Sequence, residues 1–298
     1  MKAEDKLEGE GARRRVAFQG EPGAFSEAAA LELLGEGIET VPKGTFDAAF
    51  RAVSEGTADA LLAPVENSLA GSVVRVYDLL LESGLRIVAE KILRIEHQLI
   101  GCPGAKLAEL QSVASHPVAL AQCERFFQAH PELKRVPAED TAGSVREVLA
   151  RGDRSAAAIA GRRAAERYGG VILAENIHDN AENFTRFVLL VPQTEDSGQW
   201  PVASTNLASL KMSLALRLPH KPGSLLAALE PFARHGVNLL KIESRPIQGR
   251  PWEYQFFLDV EGPETSNLQA AIEAARGVTS ELRILGIYAA ARGSAAVA

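Results

Sequence analysis

The stretch KMSLALRLPHKPGSLLAALEPFARHG, residues 211–236, decides how the C-terminal part of this chain folds. Met212, Leu214, Leu216 and Leu218 alternate with Lys211, Ser213, Ala215 and Arg217, the period of a strand buried on one face. Pro219 to Gly223 turn the chain into a helix that sets Leu225, Leu226, Leu229 and Phe232 on one side, and Gly236 stops it. Strands follow at about 237–245 and 252–260, with Tyr254, Phe256, Leu258 and Val260 alternating in the latter. A helix carrying Leu268, Ala271, Ile272 and Ala275 and a strand from about Leu282 to Ala289 complete the pattern. The order βαββαβ is the ferredoxin-like motif.

Working outward, PQTEDSGQWPVASTNLAS (192–209) holds two prolines, a glycine and small polar residues without periodicity, and reads as a linker over 193–209. Before it, the pattern is different. A short strand, Arg15 to Gln19, runs into the loop GEPGAFSE and a helix over 24–34; a second apolar run, Ala58 to Val65, ends in Glu66-Asn67-Ser68. Further strands fit Gln98–Gly101, Val113–Ser115, Ala156–Ala160 and Phe187–Val191, with helices over 118–129, 142–150 and 161–168 between them. Strand–helix alternation predicts an α/β fold with largely parallel pairing. The expected units are a flexible tail (1–14), an α/β domain (15–192), the linker, and the C-terminal domain (210–290).

Composition excludes several classes. Of 298 residues, 46% are apolar and 23% charged, the balance of a globular protein, and a net charge of −6 carries no basic footprint for nucleic acid. No run of about 18 apolar residues is present to span a membrane, and the N-terminal MKAEDKLEGEGARRR has no signal-peptide core, so the expected location is cytoplasmic. Cys102 and Cys123 form no disulfide framework or zinc pattern and read as small buried hydrophobes. No metal and no cofactor are expected, because no phosphate loop, dinucleotide fingerprint or ligand cluster appears.

Four segments could carry chemistry. GEPGAFSE joins a strand to a helix, and reads either as an anion-binding helix N-terminus or as a simple turn. PVENSLAG sets Glu66, Asn67 and Ser68 at a strand end, where α/β sheets bind ligands, although Asn67 and Ser68 could equally cap a helix. SHPVALAQC begins with Ser115-His116-Pro117, and His116 before a proline reads as structural. NIHDNAENFTRF packs more donors and acceptors than a turn requires, which points to use.

Together with DTAGS and AAIAGRRAA, these segments resemble the prephenate dehydratase family in order and spacing; KPGSLLAAL and KIESRP resemble the effector signature of its ACT domain. The resemblance covers about residues 15 to 289. It implies a catalytic domain of two α/β subdomains, similar to type II periplasmic binding proteins, with a ferredoxin-like ACT domain behind it. Decarboxylative dehydration of prephenate to phenylpyruvate is the implied reaction, without a cofactor; arogenate dehydration and a non-catalytic aromatic-ligand sensor are the alternatives. Thr185 falls on the essential threonine. Asn67, Ser115, Gln122, Thr141 and Gly23, Ala24 and Phe25 of the first loop fall on substrate-binding positions. L-phenylalanine is the implied effector, at Gly223, Ser224, Leu225, Asn238, Glu243, Ser244, Arg245 and Pro246, near a contact between two ACT domains of a homodimer or homotetramer. Val118 stands where the family commonly has glutamine. Arg186 follows Thr185 on the strand, so it faces the other way and is expected to be structural.

Overall fold

The computed structural model describes residues 13–193, 200, 210–247 and 249–291. Residues 1–12 of the expected tail and most of the linker lie outside the described residues, while Arg14, also assigned to that tail, lies over the Trp200 ring at 4.5 Å and its carbonyl accepts from Glu39 N. Strands β1 (Arg15–Gln19), β2 (Glu39–Lys43) and β3 (Ala60–Asn67) are parallel, joined by helices α1 (Phe25–Leu34) and α2 (Phe46–Ser54). The two-residue β4 (Gly71–Ser72) folds back on the end of β3, and α3 (Val74–Glu82) leads into β5 (Leu85–Arg94).

The chain then crosses to a second sheet. Its strands are β6 (Gln98–Gly101), β7 (Ser112–Ser115), β8 (Lys134–Pro137), β9 (Ala156–Ala160) and β10 (Val171–Ala174), in the order β10-β6-β9-β7-β8. Helices α4 (Pro117–Ala121), α5 (Glu124–Ala129), α6 (Thr141–Arg151) and α7 (Arg162–Tyr168) flank it. Finally β11 (Phe184–Pro192) returns to the first sheet between β3 and β5. Two α/β subdomains with a double crossing match the expected architecture.

Two details differ from expectation. Pairing is mixed rather than largely parallel: β11 is antiparallel to β3 and β5, and β6 to β9 and β10. A chain that leaves a sheet and later returns can run back through it in the opposite sense. The single helix expected over 118–129 is broken at Gln122 and Cys123, because the Asp179 carboxylate accepts from Glu124 N (2.8 Å) and Arg125 N (2.9 Å) and starts a new helix there. A long-range cap is invisible to periodicity.

The C-terminal domain has the expected order: β12 (Leu210–Arg217), α8 (Ser224–Arg234), β13 (Asn238–Pro246), β14 (Tyr254–Gly262), α9 (Thr265–Arg276), β15 (Glu281–Ala289). The strands line up as β13-β14-β12-β15. Met212, Leu214, Leu216, Leu258 and Val260 pack with Phe232, Leu268 and Ile272 of the helices. The opposite face is not bare: Ala215, Phe257, Leu285 and Tyr288 merge with Tyr77, Leu80 and Val188 of the first subdomain in one core.

The sheets merge too. β15 pairs with β5 at Gly286 and Ile87, so among the described residues ten strands form one sheet across both domains. A Cβ at Gly286 would sit 2.2 Å from the Ile87 carbonyl oxygen, so only glycine allows this approach. The linker therefore does not separate independent bodies.

Candidate functional site

The subdomains enclose a cleft of about 400 Å³, reached by Ala24, Phe25, Asn67, Gln122, Thr141 and Thr185. At its centre β3 and β11 bring Asn67 and Thr185 into register as direct cross-strand neighbours, with Asn67 Nδ2 3.0 Å from Thr185 Oγ1. Asn67 Oδ1 accepts from Leu69 N (3.0 Å) and Ala70 N (2.8 Å), which fixes which way the amide points. Its NH2 group therefore faces Thr185, and an amide nitrogen can only donate. Thr185 Oγ1 accepts that bond, so its own proton is available to the cleft.

The same polarity runs on. Asn67 Nδ2 also donates to Asn183 Oδ1 at 2.8 Å, and Asn183 Nδ2 donates to Gln122 Oε1 at 3.0 Å. His97 Nε2 lies 2.8 Å from that oxygen and must carry its proton there. Gln122 thus presents its NH2 group as a donor. The chain of amides, anchored on two backbone N–H groups, aims a hydroxyl and an amide donor without any charge.

Asn183, fully buried, and His97, with 2% exposure, are the members sequence reasoning missed. Asn183 lay within the polar run but carried no individual signal, and His97 lies outside every motif. Burial outweighs the Gln122 hydrogen bond and pushes the His97 pKa below its ordinary value. Folding therefore favours neutral His97, a stabilisation present above the unfolded pKa of about 6.5 and lost as pH falls through the lower folded value. A melting-temperature difference between pH 7.5 and pH 5.5 is expected, and a His97→Gln variant should show a smaller one.

Residues 16–195 match the sequence family described as prephenate dehydratase, and residues 212–277 match the ACT domain. The chain belongs to the prephenate dehydratase family. It is 39% identical over 296 residues to arogenate dehydratase/prephenate dehydratase 1 of Arabidopsis thaliana, a chloroplastic protein, covering 94% of this chain and 73% of that one. Prephenate dehydratase from Arthrobacter aurescens, solved in complex with L-Phe, superposes with a TM-score of 0.82 at 32% identity, over 93% of this chain and 90% of that one. A structure described as GqqA, a novel type of quorum quenching acylase, gives 0.83 at 36% identity, over 93% and 98%.

Not every prephenate dehydratase position expected at the cleft reaches it. Ser115 is fully buried and donates its hydroxyl to Ile159 O at 2.7 Å, so it braces β7 against β9. Gly23 faces away: its N–H goes to Glu27 Oε2 (2.7 Å), and with φ +90 a Cβ there would meet Ala164 Cα at 2.9 Å. The loop GEPGAFSE meets the second subdomain at Ala164, and Ala24, Phe25 and Ser26 at the start of α1 line the cleft. Asn67 and Ser68 cap no helix; Asn67 holds the turn after β3, and Ser68 Oγ donates to Glu182 O (2.8 Å) and accepts from Phe184 N (2.9 Å). His116 accepts from Val118 N at 3.2 Å and caps α4, the structural role expected of it. Exposed Val118 puts an apolar group at the cleft.

In the ACT domain, Gly223 and Ser224 line a hollow of about 350 Å³ with Pro219 and Val278, next to Leu225. Asn238, Glu243, Ser244, Arg245 and Pro246 lie along β13, outside that hollow. Glu243 and Arg245 turn toward the catalytic domain, to Ser72 and to Asp78 (3.5 Å) respectively. Among the described residues no group of three or more His, Cys, Asp or Glu is placed to hold a metal, and no helix is long and apolar enough to cross a membrane. Burial pushes the Cys123 thiol up to about 12, which suits an inert core residue.

Proposed function

We infer that the protein converts prephenate to phenylpyruvate, with loss of carbon dioxide and water. The carrying observation is the Asn67–Thr185 pair, which leaves a proton on Thr185 free to donate. The ring carboxylate leaves as carbon dioxide, its bonding electrons complete the aromatic ring, and the ring hydroxyl departs with a proton. Aromatisation drives the step, so the protein supplies orientation and a hydrogen bond that strengthens as charge grows on the leaving oxygen. Gln122 and Thr141 line the cleft as neutral donors, able to hold carboxylates without overstabilising the one that must leave. The word acylase in the name of one structural relative implies acyl transfer, which would need a base to activate a nucleophile; Asn67, whose amide donates to Thr185, is not that base.

Arogenate is a second reading with its own support. Among the described residues no lysine or arginine lines the cleft, whereas Glu139 and Asp140 do, and these suit the ammonium group that arogenate has and prephenate lacks. Supplying each substrate separately and assaying phenylpyruvate and phenylalanine tests both. Turnover of at least one is expected; turnover of neither removes the dehydratase reading.

Feedback by phenylalanine belongs to the same reading. Gly223 precedes α8, whose first amides suit a carboxylate, and the buried Ser224 hydroxyl beside it has no partner. Exposed Leu226, Leu240 and Ile242 support an oligomer that brings β13 of a second copy to this hollow. The two free, buried cysteines agree with a reducing, cytoplasmic setting. A Gly223→Leu enzyme should keep its turnover and lose inhibition by phenylalanine; unchanged inhibition would place the effector elsewhere.

A further inference from the structure

Asn67 and Thr185 are paired across β3 and β11, and so are the residues beside them, Glu66 and Arg186. Neighbours in a strand face opposite ways. The front of this two-residue register therefore carries the catalytic pair, and the back carries two opposite charges. Both are gripped by the ACT sheet.

Arg186 donates to Asp259 of β14 and to the Tyr288 hydroxyl of β15 (2.7 Å), as well as to Glu90 of β5 (2.6 Å). Glu90 is paired in turn with Lys211 of β12 at 2.9 Å, and Ser213 bonds Asp259 and Tyr288. On the other side, Lys241 of β13 reaches Glu66 (3.2 Å) and the Ser72 hydroxyl (2.8 Å). Glu66 and Ser72 face each other in the β3–β4 hairpin, whose turn supplies the amides that orient Asn67. Buried ion networks are poor contributors to net stability, since apolar replacements often do as well. This one lies directly behind the reacting groups.

We propose that the ACT sheet positions the catalytic pair: Arg186–Asp259 and Lys241–Glu66 clamp the rear of the Asn67–Thr185 register and keep the Thr185 proton aimed into the cleft. Arg186, Glu66, Lys241 and Asp259 are positioning residues; none lines the cleft. Because Glu243 shares Lys241 and Ser72 with Glu66, a ligand that moved β13 would reach Asn67 through two side chains.

The inference rests on the dehydratase reading, which wild-type turnover of prephenate or arogenate checks beforehand. Lys241→Met keeps a side chain of similar length and removes the charge, including the ammonium 5.1 Å from the Tyr77 ring centroid; Glu66→Gln removes the partner; Asp259→Asn attacks the other clamp. With folding verified by circular dichroism, kcat of Lys241→Met should fall about tenfold or more with KM little changed. The double variant Lys241→Met/Glu66→Gln should be no worse than the poorer single one, because both act through one contact. Asp259→Asn should show the same split, and if it does not fold Lys241→Met decides alone. A folded Lys241→Met enzyme with kcat within about twofold of an active wild type overturns the proposal, whatever its melting temperature.

Discussion

Replacing Thr185 by valine is expected to lower kcat by more than about 100-fold, roughly 3 kcal/mol of transition-state stabilisation. Valine matches threonine in shape, so β11 and its pairing with Asn67 should survive. What disappears is the proton that the Asn67 amide leaves free by donating to Oγ1. Because that hydrogen bond strengthens only as the hydroxyl departs, KM should change much less than kcat. Serine at the same position keeps the donor and should recover much of the loss. A Thr185→Val enzyme within about threefold of wild type would remove this residue from the chemistry.

The largest effect on stability is expected from Arg186→Ala. Glu90 and Asp259 are almost fully buried, and the guanidinium lies between them. Burial alone would raise the Asp259 pKa, but Arg186 outweighs it and holds the carboxyl below its ordinary range. Removing the cation leaves a buried carboxylate without its main partner, at a cost of about 3–5 kcal/mol. Chemical denaturation at pH 7 measures it. The wild-type contribution is present above the unfolded carboxylate pKa of about 3.9 and is lost as pH falls through the lower folded value. Truncation after about Ala203, within the stretch that reads as a linker, removes Asp259, Lys211 and Tyr288 together. Loss of folding is the expected result.

The alternation in residues 211–218 made the ferredoxin-like unit legible, because β12 sits between two strands and separates an apolar helix face from a mixed one. β5 was not legible: LRIVAEKILR is buried on both faces and carries Glu90 and Lys91, so it shows no clean period. Glu90 is tolerated there only because Arg186 and Lys211 come from distant segments. The same reason hid His97 and Asn183. Their roles depend on amide directions set by the turn after Asn67, a property of the folded site and of no local pattern. Thr185, Asn67 and Gln122 were found through the family motifs rather than through spacing. Ser115 and Gly23 belong to the same motifs but serve packing, a division the motifs do not reveal.

Carbon dioxide release from prephenate by the full-length protein at neutral pH, with a chelator present, tests the central claim most directly. The expected result is saturable release matched mole for mole by phenylpyruvate, with Thr185→Val close to the uncatalysed rate. Release no faster than in buffer alone, or release restored only by added metal, would contradict it.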